Sequence, residues 1–209
     1  MSSSRSRPNG YALAEALSVF AMIMLYIWGL RWSYPLSWAI ILALMLASHA
    51  LRGETPAKLG FSLRNLKESL VRFTPVVLLL ALILLAAGSI ARTIRHITPE
   101  SGLASLVLYF GWGLFQQYVM NGFFMNRLME FSPARAPLLA ALLFSAAHAP
   151  NWFLMLVTFV GGYVSATVYL DSRNLYFLGL AHGLLGFLLY LVVPDTISHH
   201  LYVGPKWFS

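Results

Sequence analysis

The sequence predicts an all-α fold, a polytopic integral membrane helix bundle with about seven transmembrane helices. The chain is 59% hydrophobic and only 10% charged, whereas a soluble domain carries about 25% charged residues. Several long stretches contain no charged residue, and a helix needs about 20 residues to cross the hydrocarbon core of a bilayer. The short alternating segments of a membrane barrel do not occur in the sequence. We therefore expect residues 1–209 to form a single transmembrane domain.

The apolar stretches give the order of the expected spans. They are Tyr11–Leu30, Trp32–Leu51, Phe73–Ala91, Ser101–Asn126, Ala136–Leu170 and Asn174–Pro194. As one helix, the 35 residues of the fifth stretch would extend about 52 Å, well beyond a bilayer core of about 30 Å. Pro150, near its middle, cannot donate a backbone hydrogen bond. Dividing the stretch there gives seven spans.

A polar segment between the second and third spans predicts an additional helix. Leu63, Leu66, Leu70 and Val71 follow a helical spacing in this segment, and charged residues occupy the other side. Such a pattern is typical of a helix that lies in the membrane interface. We expect an amphipathic interfacial helix over residues 57–72, on the inner surface.

The positive charges predict the orientation, because cytoplasmic loops are enriched in Lys and Arg. With a cytoplasmic N-terminus, 10 of the 14 Lys and Arg residues fall on the inner side. These are Arg5, Arg7, Arg52, Lys58, Arg64, Lys67, Arg72, Arg127, Arg135 and Arg173. We expect an integral protein of the bacterial cytoplasmic (inner) membrane that contacts membrane lipids.

No basic run interleaved with aromatic residues indicates nucleic-acid binding.

Five polar side chains lie within three of the apolar stretches. They are Gln116, Gln117, Asn121, His148 and His182. An ionisable side chain at membrane depth is costly, so it normally faces the protein interior and marks a functional site. Gln117 and Asn121 are four residues apart and share a helix face. We expect one polar cavity within the membrane, although hydrogen bonds that simply join helices are the alternative reading.

The order and spacing of these residues resemble the CPBP family, the intramembrane proteases that include CAAX-processing and bacteriocin-processing enzymes. The family pattern is Glu-Glu-x-x-x-Arg, then Phe-x-x-x-His, then His-x-x-x-Asn. This chain has Gln116-Gln117-x-x-x-Asn121, then Phe144-x-x-x-His148, then His182 with Gly186 at the Asn position. The resemblance covers residues 56–191 and implies a core of the CPBP type.

The resemblance implies an intramembrane endopeptidase that acts on membrane-associated peptides or proteins. His148 and His182 would position the water and the oxyanion, and Gln116 stands where the base of the family stands. Gln117 and Asn121 complete the implied catalytic set. The residues expected to contact the substrate are Phe144, Gly186, Tyr118 and Asn151.

The chain departs from the family where the chemistry needs charge, because an amide cannot accept a proton as a carboxylate does. No other acid is well placed to replace the missing pair: Glu15 starts the first span, Glu130 is near the membrane surface, and Asp171 lies in a turn. Weakened or altered catalysis is one reading. The alternative is a non-catalytic pseudoprotease that binds a membrane peptide or lipidated partner in the inherited cavity, and a small transporter subunit is a weaker alternative.

The sequence favours no cofactor. Two histidines from different helices could hold zinc, but a zinc site needs three or four ligands, and the third candidate here is an amide. A chain without cysteine has no thiolate ligand and no cysteine nucleophile. The sequence leaves the oligomeric state open.

Overall fold

The computed structural model describes residues 9–209, and within that range the chain is helical and forms no β-strand. The predicted residues Arg5 and Arg7 lie outside the described residues. The main helices are α1 (Gly10–Ser33), α2 (Pro35–Leu51), α3 (Leu66–Ala91), α4 (99–131), α5 (Ala136–Ala146), α6 (Trp152–Ser172) and α7 (Leu175–Val192). The predicted all-α membrane bundle is confirmed.

Each expected span corresponds to one of these helices. In the part of the chain that the structure describes, four helices are long and apolar enough to cross a membrane, namely α1, α3, α6 and α7. Helices α2 and α5 are apolar but shorter. The division at Pro150 is correct, because α5 ends at Ala146 and α6 begins at Trp152.

The polar segment before α3 differs from the prediction. Residues 53–65 form turns, and the helix that begins at Leu66 is continuous with the third span, so no separate amphipathic helix covers 57–72. The reason lies at Gly60, whose φ of +100° is rare for other residues and whose carbonyl accepts a hydrogen bond from the Leu175 backbone (2.9 Å). The Tyr169 hydroxyl also donates to the Leu59 carbonyl (2.9 Å). These bonds hold the segment against the end of α6 and the start of α7.

Helix α4 is central to the bundle. It contains a π-helical stretch, Tyr118–Met125, in which nearly every side chain is buried. Met120, Phe123 and Met125 have no exposed surface and belong to the main apolar core. π-Helical turns are rare and often lie at functional sites. This stretch directly follows Gln117.

Two structured regions close the ends of the bundle. At one end, charged residues of α1, the loop after α2 and α4 meet around Arg127. At the other end, the C-terminal residues 194–209 fold against the turn between α5 and α6, where Gly204 donates to the Ala149 carbonyl (2.8 Å). Arg95 anchors this region through two hydrogen bonds to Asp195 (2.8 and 2.5 Å). The polar side chains of the sequence motifs lie between these two ends.

Candidate functional site

Three glycines bring α4 and α7 into backbone contact. A Cβ atom added to Gly113 would lie 2.8 Å from the Gly179 carbonyl oxygen and 2.8 Å from the Gly183 nitrogen. A Cβ atom added to Gly183 would lie 2.8 Å from the Tyr109 carbonyl oxygen. Small residues permit such close approach of membrane helices. The contact places Gln117, one turn after Gly113, beside His182.

Gln117 is the centre of a hydrogen-bonded network that joins three helices. Its Nε2 lies 2.9 Å from Nδ1 of His182. Its Oε1 accepts hydrogen bonds from Nδ2 of Asn121 (2.7 Å) and from the Ser165 hydroxyl (2.7 Å). Nδ2 of Asn121 also donates to Oγ of Ser165 (3.0 Å). The network therefore contains only neutral amides, a hydroxyl and an imidazole.

The second histidine is held by its own helix end. Nδ1 of His148 lies 2.7 Å from the Phe144 carbonyl oxygen. The Phe144 ring stands edge-on to both imidazoles, with centroid separations of 4.9 Å from His148 and 5.9 Å from His182. Both histidines are half-buried. The Phe-x-x-x-His motif therefore places His148 and His182 on one aromatic ring.

Two further predicted residues flank this network. Gly186 lies beside His182: an added Cβ would be 3.9 Å from the imidazole Cδ2 and 3.3 Å from the Tyr109 ring. Gln116 is half-buried, and no hydrogen bond joins its side chain to any residue within 9–209. In this geometry Gln117, and not Gln116, contacts the histidine.

The structure places two expected substrate contacts elsewhere. The Tyr118 ring packs against His49 and Phe61, at centroid separations of 5.8 and 5.9 Å. Asn151 is completely buried. Its Oδ1 accepts from the Leu154 backbone at the start of α6, and its Nδ2 donates to backbone carbonyls of the C-terminal residues. Asn151 therefore has a structural role at the α5–α6 turn.

Sequence reasoning missed Ser165 as a member of the network. The sequence does place the Ser165 hydroxyl close to Gly161 and Gly162 on α6, and such a group of small residues is typical of close helix packing. Gly162 does pack, since an added Cβ would lie 3.2 Å from the Phe144 ring, but Gly161 faces open space. The tertiary fold then brings Ser165 to α4.

A charged cluster around Arg127, which the sequence did not predict, lies at the other end of α4. Arg127 is completely buried. Its guanidinium contacts Oε2 of Glu54 (2.7 Å) and Oε2 of Glu15 (3.2 Å), while Arg52 binds Glu130 (2.7 Å). Glu54 also contacts Nδ1 of the buried His49 (2.7 Å).

The electrostatics of the cluster act on the loop residue Glu54. Burial raises the pKa of the Glu54 carboxyl, but hydrogen bonds from Arg127 and His49 and their charges outweigh burial and lower the pKa below its ordinary value. The carboxyl is therefore held in its ionised form. It pairs with Arg127 and His49 in the cluster, and it forms no hydrogen bond with His148 or His182.

All seven carboxylates of the chain lie within residues 9–209, and each is engaged or exposed away from the histidine network. Glu15, Glu54 and Glu130 belong to the Arg127 cluster, Asp171 pairs with Arg72, and Asp195 pairs with Arg95. Glu68 and Glu100 are exposed. Within residues 9–209, none of these carboxylates is hydrogen-bonded to Gln117, His148 or His182.

A metal ion needs three or four ligands grouped around one point. Across residues 9–209, no three His, Asp or Glu side chains are grouped so that they could hold a metal ion. The donors present at the site are two imidazoles, amides and one hydroxyl. These groups can donate and accept hydrogen bonds.

The fold and this site define a helical membrane protein with a polar network buried among its spans. A model of the family described as Type II CAAX prenyl endopeptidase Rce1-like matches residues 75–188, which is more than half of the chain. The chain belongs to this family, and the resemblance seen in its motifs is confirmed. The matched segment contains α4, α5 and α6 and most of α3 and α7. No curated protein and no solved structure matches the chain.

Proposed function

We propose that this protein binds a membrane-embedded peptide or a lipidated polypeptide in the site formed by α4, α5 and α7, and cleaves it weakly or not at all. The observation that carries the proposal is the contact between Gln117 and His182 (2.9 Å). The family pattern has a carboxylate pair at positions 116 and 117, and this chain has two amides. A neutral amide cannot take a proton from water at workable pH.

The neutral network is also physically consistent with a binding role. Buried charges cost several kcal/mol each unless they are well paired. Having Gln116, Gln117 and Asn121 in place of two carboxylates and a guanidinium removes that cost, and Gln117 and Asn121 remain hydrogen-bonded to each other. Such a site can still offer hydrogen bonds to a polypeptide backbone within the membrane.

The test measures binding and cleavage separately with purified protein in lipid nanodiscs. The probes are membrane-tethered and farnesylated peptides that carry a fluorophore. We expect wild type to bind a subset of probes with no measurable turnover. Gln117→Glu is expected to gain turnover, because it puts a proton acceptor next to His182. Gln116→Glu is tested beside it, because Gln116 stands where the base of the family stands; we expect a smaller gain, since no hydrogen bond joins residue 116 to the histidines within residues 9–209.

A wild-type turnover as fast as that of Gln117→Glu, and abolished by His182→Ala, would overturn the proposal of weak or absent cleavage. It would favour a second candidate, an endopeptidase with an altered mechanism. The observation in its favour is that both imidazoles are half-buried, so that a bound peptide can reach them. His148→Ala, tested beside His182→Ala, would then show whether His148 supplies the base.

We also propose that the protein lies in the bacterial cytoplasmic membrane with its N-terminus inside. The support is the excess of Lys and Arg at the Arg127 end. The chain has no cysteine, so single cysteines at Arg64 and Lys206 can be labelled without background. A membrane-impermeant maleimide applied to whole cells should label Lys206→Cys and spare Arg64→Cys, and the reverse result would contradict the orientation.

A further inference from the structure

We infer that the two histidines present complementary ring nitrogens, with Nε2 of His182 as a hydrogen-bond donor and Nε2 of His148 as an acceptor. The ligand class that fits such a pair is an extended peptide, whose backbone carries both a carbonyl acceptor and an N–H donor. The assignment of the nitrogens stands on geometry alone. The peptide as ligand rests on the proposed function.

The contact of His148 with a backbone carbonyl determines which of its ring nitrogens carries the proton. The Phe144 oxygen can only accept a hydrogen bond, so Nδ1 of His148, at 2.7 Å, must donate. In a neutral imidazole the other nitrogen then carries no proton. Nε2 of His148 is therefore an acceptor.

The position of the ring proton of His182 follows indirectly, from the orientation of the Gln117 amide. Nδ2 of Asn121 only donates, so the Gln117 atom that it contacts at 2.7 Å is the oxygen. The Ser165 hydroxyl donates to the same atom. The amide nitrogen of Gln117 then faces Nδ1 of His182 and donates to it, which leaves the ring proton on Nε2.

The reverse orientation of the two amides is less favourable at Asn121. Asn121 is completely buried, and its Oδ1 has no hydrogen-bond partner among residues 9–209. Reversing both amides would put Nδ2, with two N–H groups, in that partnerless position. Buried donors without a partner are rarer than buried carbonyls with unused acceptor capacity. The unpaired side of Asn121 thus selects the orientation that makes His182 a donor.

The site can therefore distinguish the carbonyl groups of a bound peptide backbone from its N–H groups. A carbonyl can accept from His182, and an N–H can donate to His148. The Phe144 ring stands edge-on to both imidazoles, at centroid separations of 4.9 Å and 5.9 Å, so the two ring nitrogens belong to one site. Gln117 and Asn121 act as positioning residues, because they act on the ligand through His182.

The first test reads the ring protons directly, by nitrogen-15 NMR of full-length protein with labelled histidine at alkaline pH. The single variants His148→Asn and His182→Asn assign the two signals. We expect the Nδ1–H form at His148 and the Nε2–H form at His182. Gln117→Glu should move the proton of His182 to Nδ1, because a carboxylate accepts there. Gln116→Glu is the control and should leave the His182 signal unchanged.

A wild-type His182 with its proton on Nδ1 would overturn the inference. So would a Gln117→Glu spectrum that keeps Nδ1 unprotonated. This measurement needs no bound peptide. Its outcome is therefore independent of the proposed function.

The second test concerns the peptide. A farnesylated peptide that binds in nanodiscs is compared with versions in which one backbone amide at a time is N-methylated. We expect a single position to weaken binding about fivefold to tenfold, the loss of roughly one hydrogen bond, and His148→Ala to abolish the difference. Equal affinity for every version would overturn the assigned ligand. If no probe binds while the NMR forms are as expected, the proposed function fails and the assignment of the nitrogens stands.

Discussion

Arg127 shows how a single residue can join the two N-terminal helices to the segment that matches the family. It is completely buried on α4, yet its ionic partners Glu15 and Glu54 come from α1 and the loop after α2. Both partners precede residue 75, where the family match begins. An isolated arginine near a span end predicts topology, and only the folded chain reveals the partners.

Arg127→Met should destabilise the protein by about 3 kcal/mol, because it leaves partly buried carboxylates without their cation. The measurement is the thermal unfolding midpoint in detergent. Arg135→Ala is the matched control, since Arg135 is exposed at the same end and surface substitutions usually stay within about 0.5 kcal/mol. Equal midpoints for the two variants would contradict the ionic role of Arg127.

Glu54 makes the stability of the protein depend on acid pH. Its pKa in the folded protein is below the ordinary value, so its contribution is present above the unfolded pKa of about 4.3. That contribution is lost as the pH falls through the lower, folded pKa. The unfolding midpoint of Glu54→Gln should therefore change less with pH in this acid range than that of wild type. Exposed Glu68→Gln should follow wild type, and a Glu54→Gln curve parallel to wild type would refute the linkage.

At the scale of elements, the crossing of α4 and α7 decides where the site forms. Gly113, Gly179 and Gly183 allow the two backbones to touch, and this contact sets the register between Gln117 and His182. The adjacent pair Gly161 and Gly162 on α6 fits the same small-residue pattern, yet a Cβ atom added to Gly161 would meet nothing within 4 Å. Small residues occur on many membrane helices, and the apolar pattern alone does not say which of them face one another.

Gly113→Ala should separate α4 from α7, because its Cβ would meet backbone atoms that cannot rotate away. We expect a loss of about 1–3 kcal/mol of stability, the usual cost of overpacking, together with loss of the Gln117–His182 contact. Thermal unfolding and the His182 nitrogen signals measure these two effects. Gly111→Ala, two residues earlier and in open space, should behave as wild type. Similar changes in both variants would refute the role of the crossing.

At the scale of the whole molecule, the C-terminal residues close the end of the bundle nearest the turn between α5 and α6. Asn151 joins the C-terminal residues to α6, because the oxygen and the nitrogen of its side-chain amide bind different partners. Its Oδ1 caps α6 through the Leu154 backbone, and its Nδ2 donates to the carbonyls of Ser198 and Tyr202. Asn151→Ala should cost about 1–2 kcal/mol, since it removes a cap and buried hydrogen bonds.

Asn151→Asp separates the two roles, because a carboxylate keeps the cap and loses the donors. We expect its C-terminal residues to be cleaved faster by added protease than those of wild type, with α6 intact by circular dichroism. Asn151→Ala should show faster cleavage and lower stability together. Wild-type cleavage rates in both variants would contradict the anchoring of the C-terminal residues by Asn151.

The fold class, the order of the helices, the break at Pro150 and the family could all be predicted from the sequence, because these follow from local apolar length, backbone chemistry and motif spacing. The sequence also identified His148, His182 and Gln117, since polar residues stand out in apolar helices. The tertiary structure decided that Gln117 and not Gln116 contacts His182, that Ser165 joins the network and that Arg127 finds its carboxylates. These outcomes depend on which helix faces meet. That choice is made by packing between residues far apart in the chain, which a local pattern does not encode.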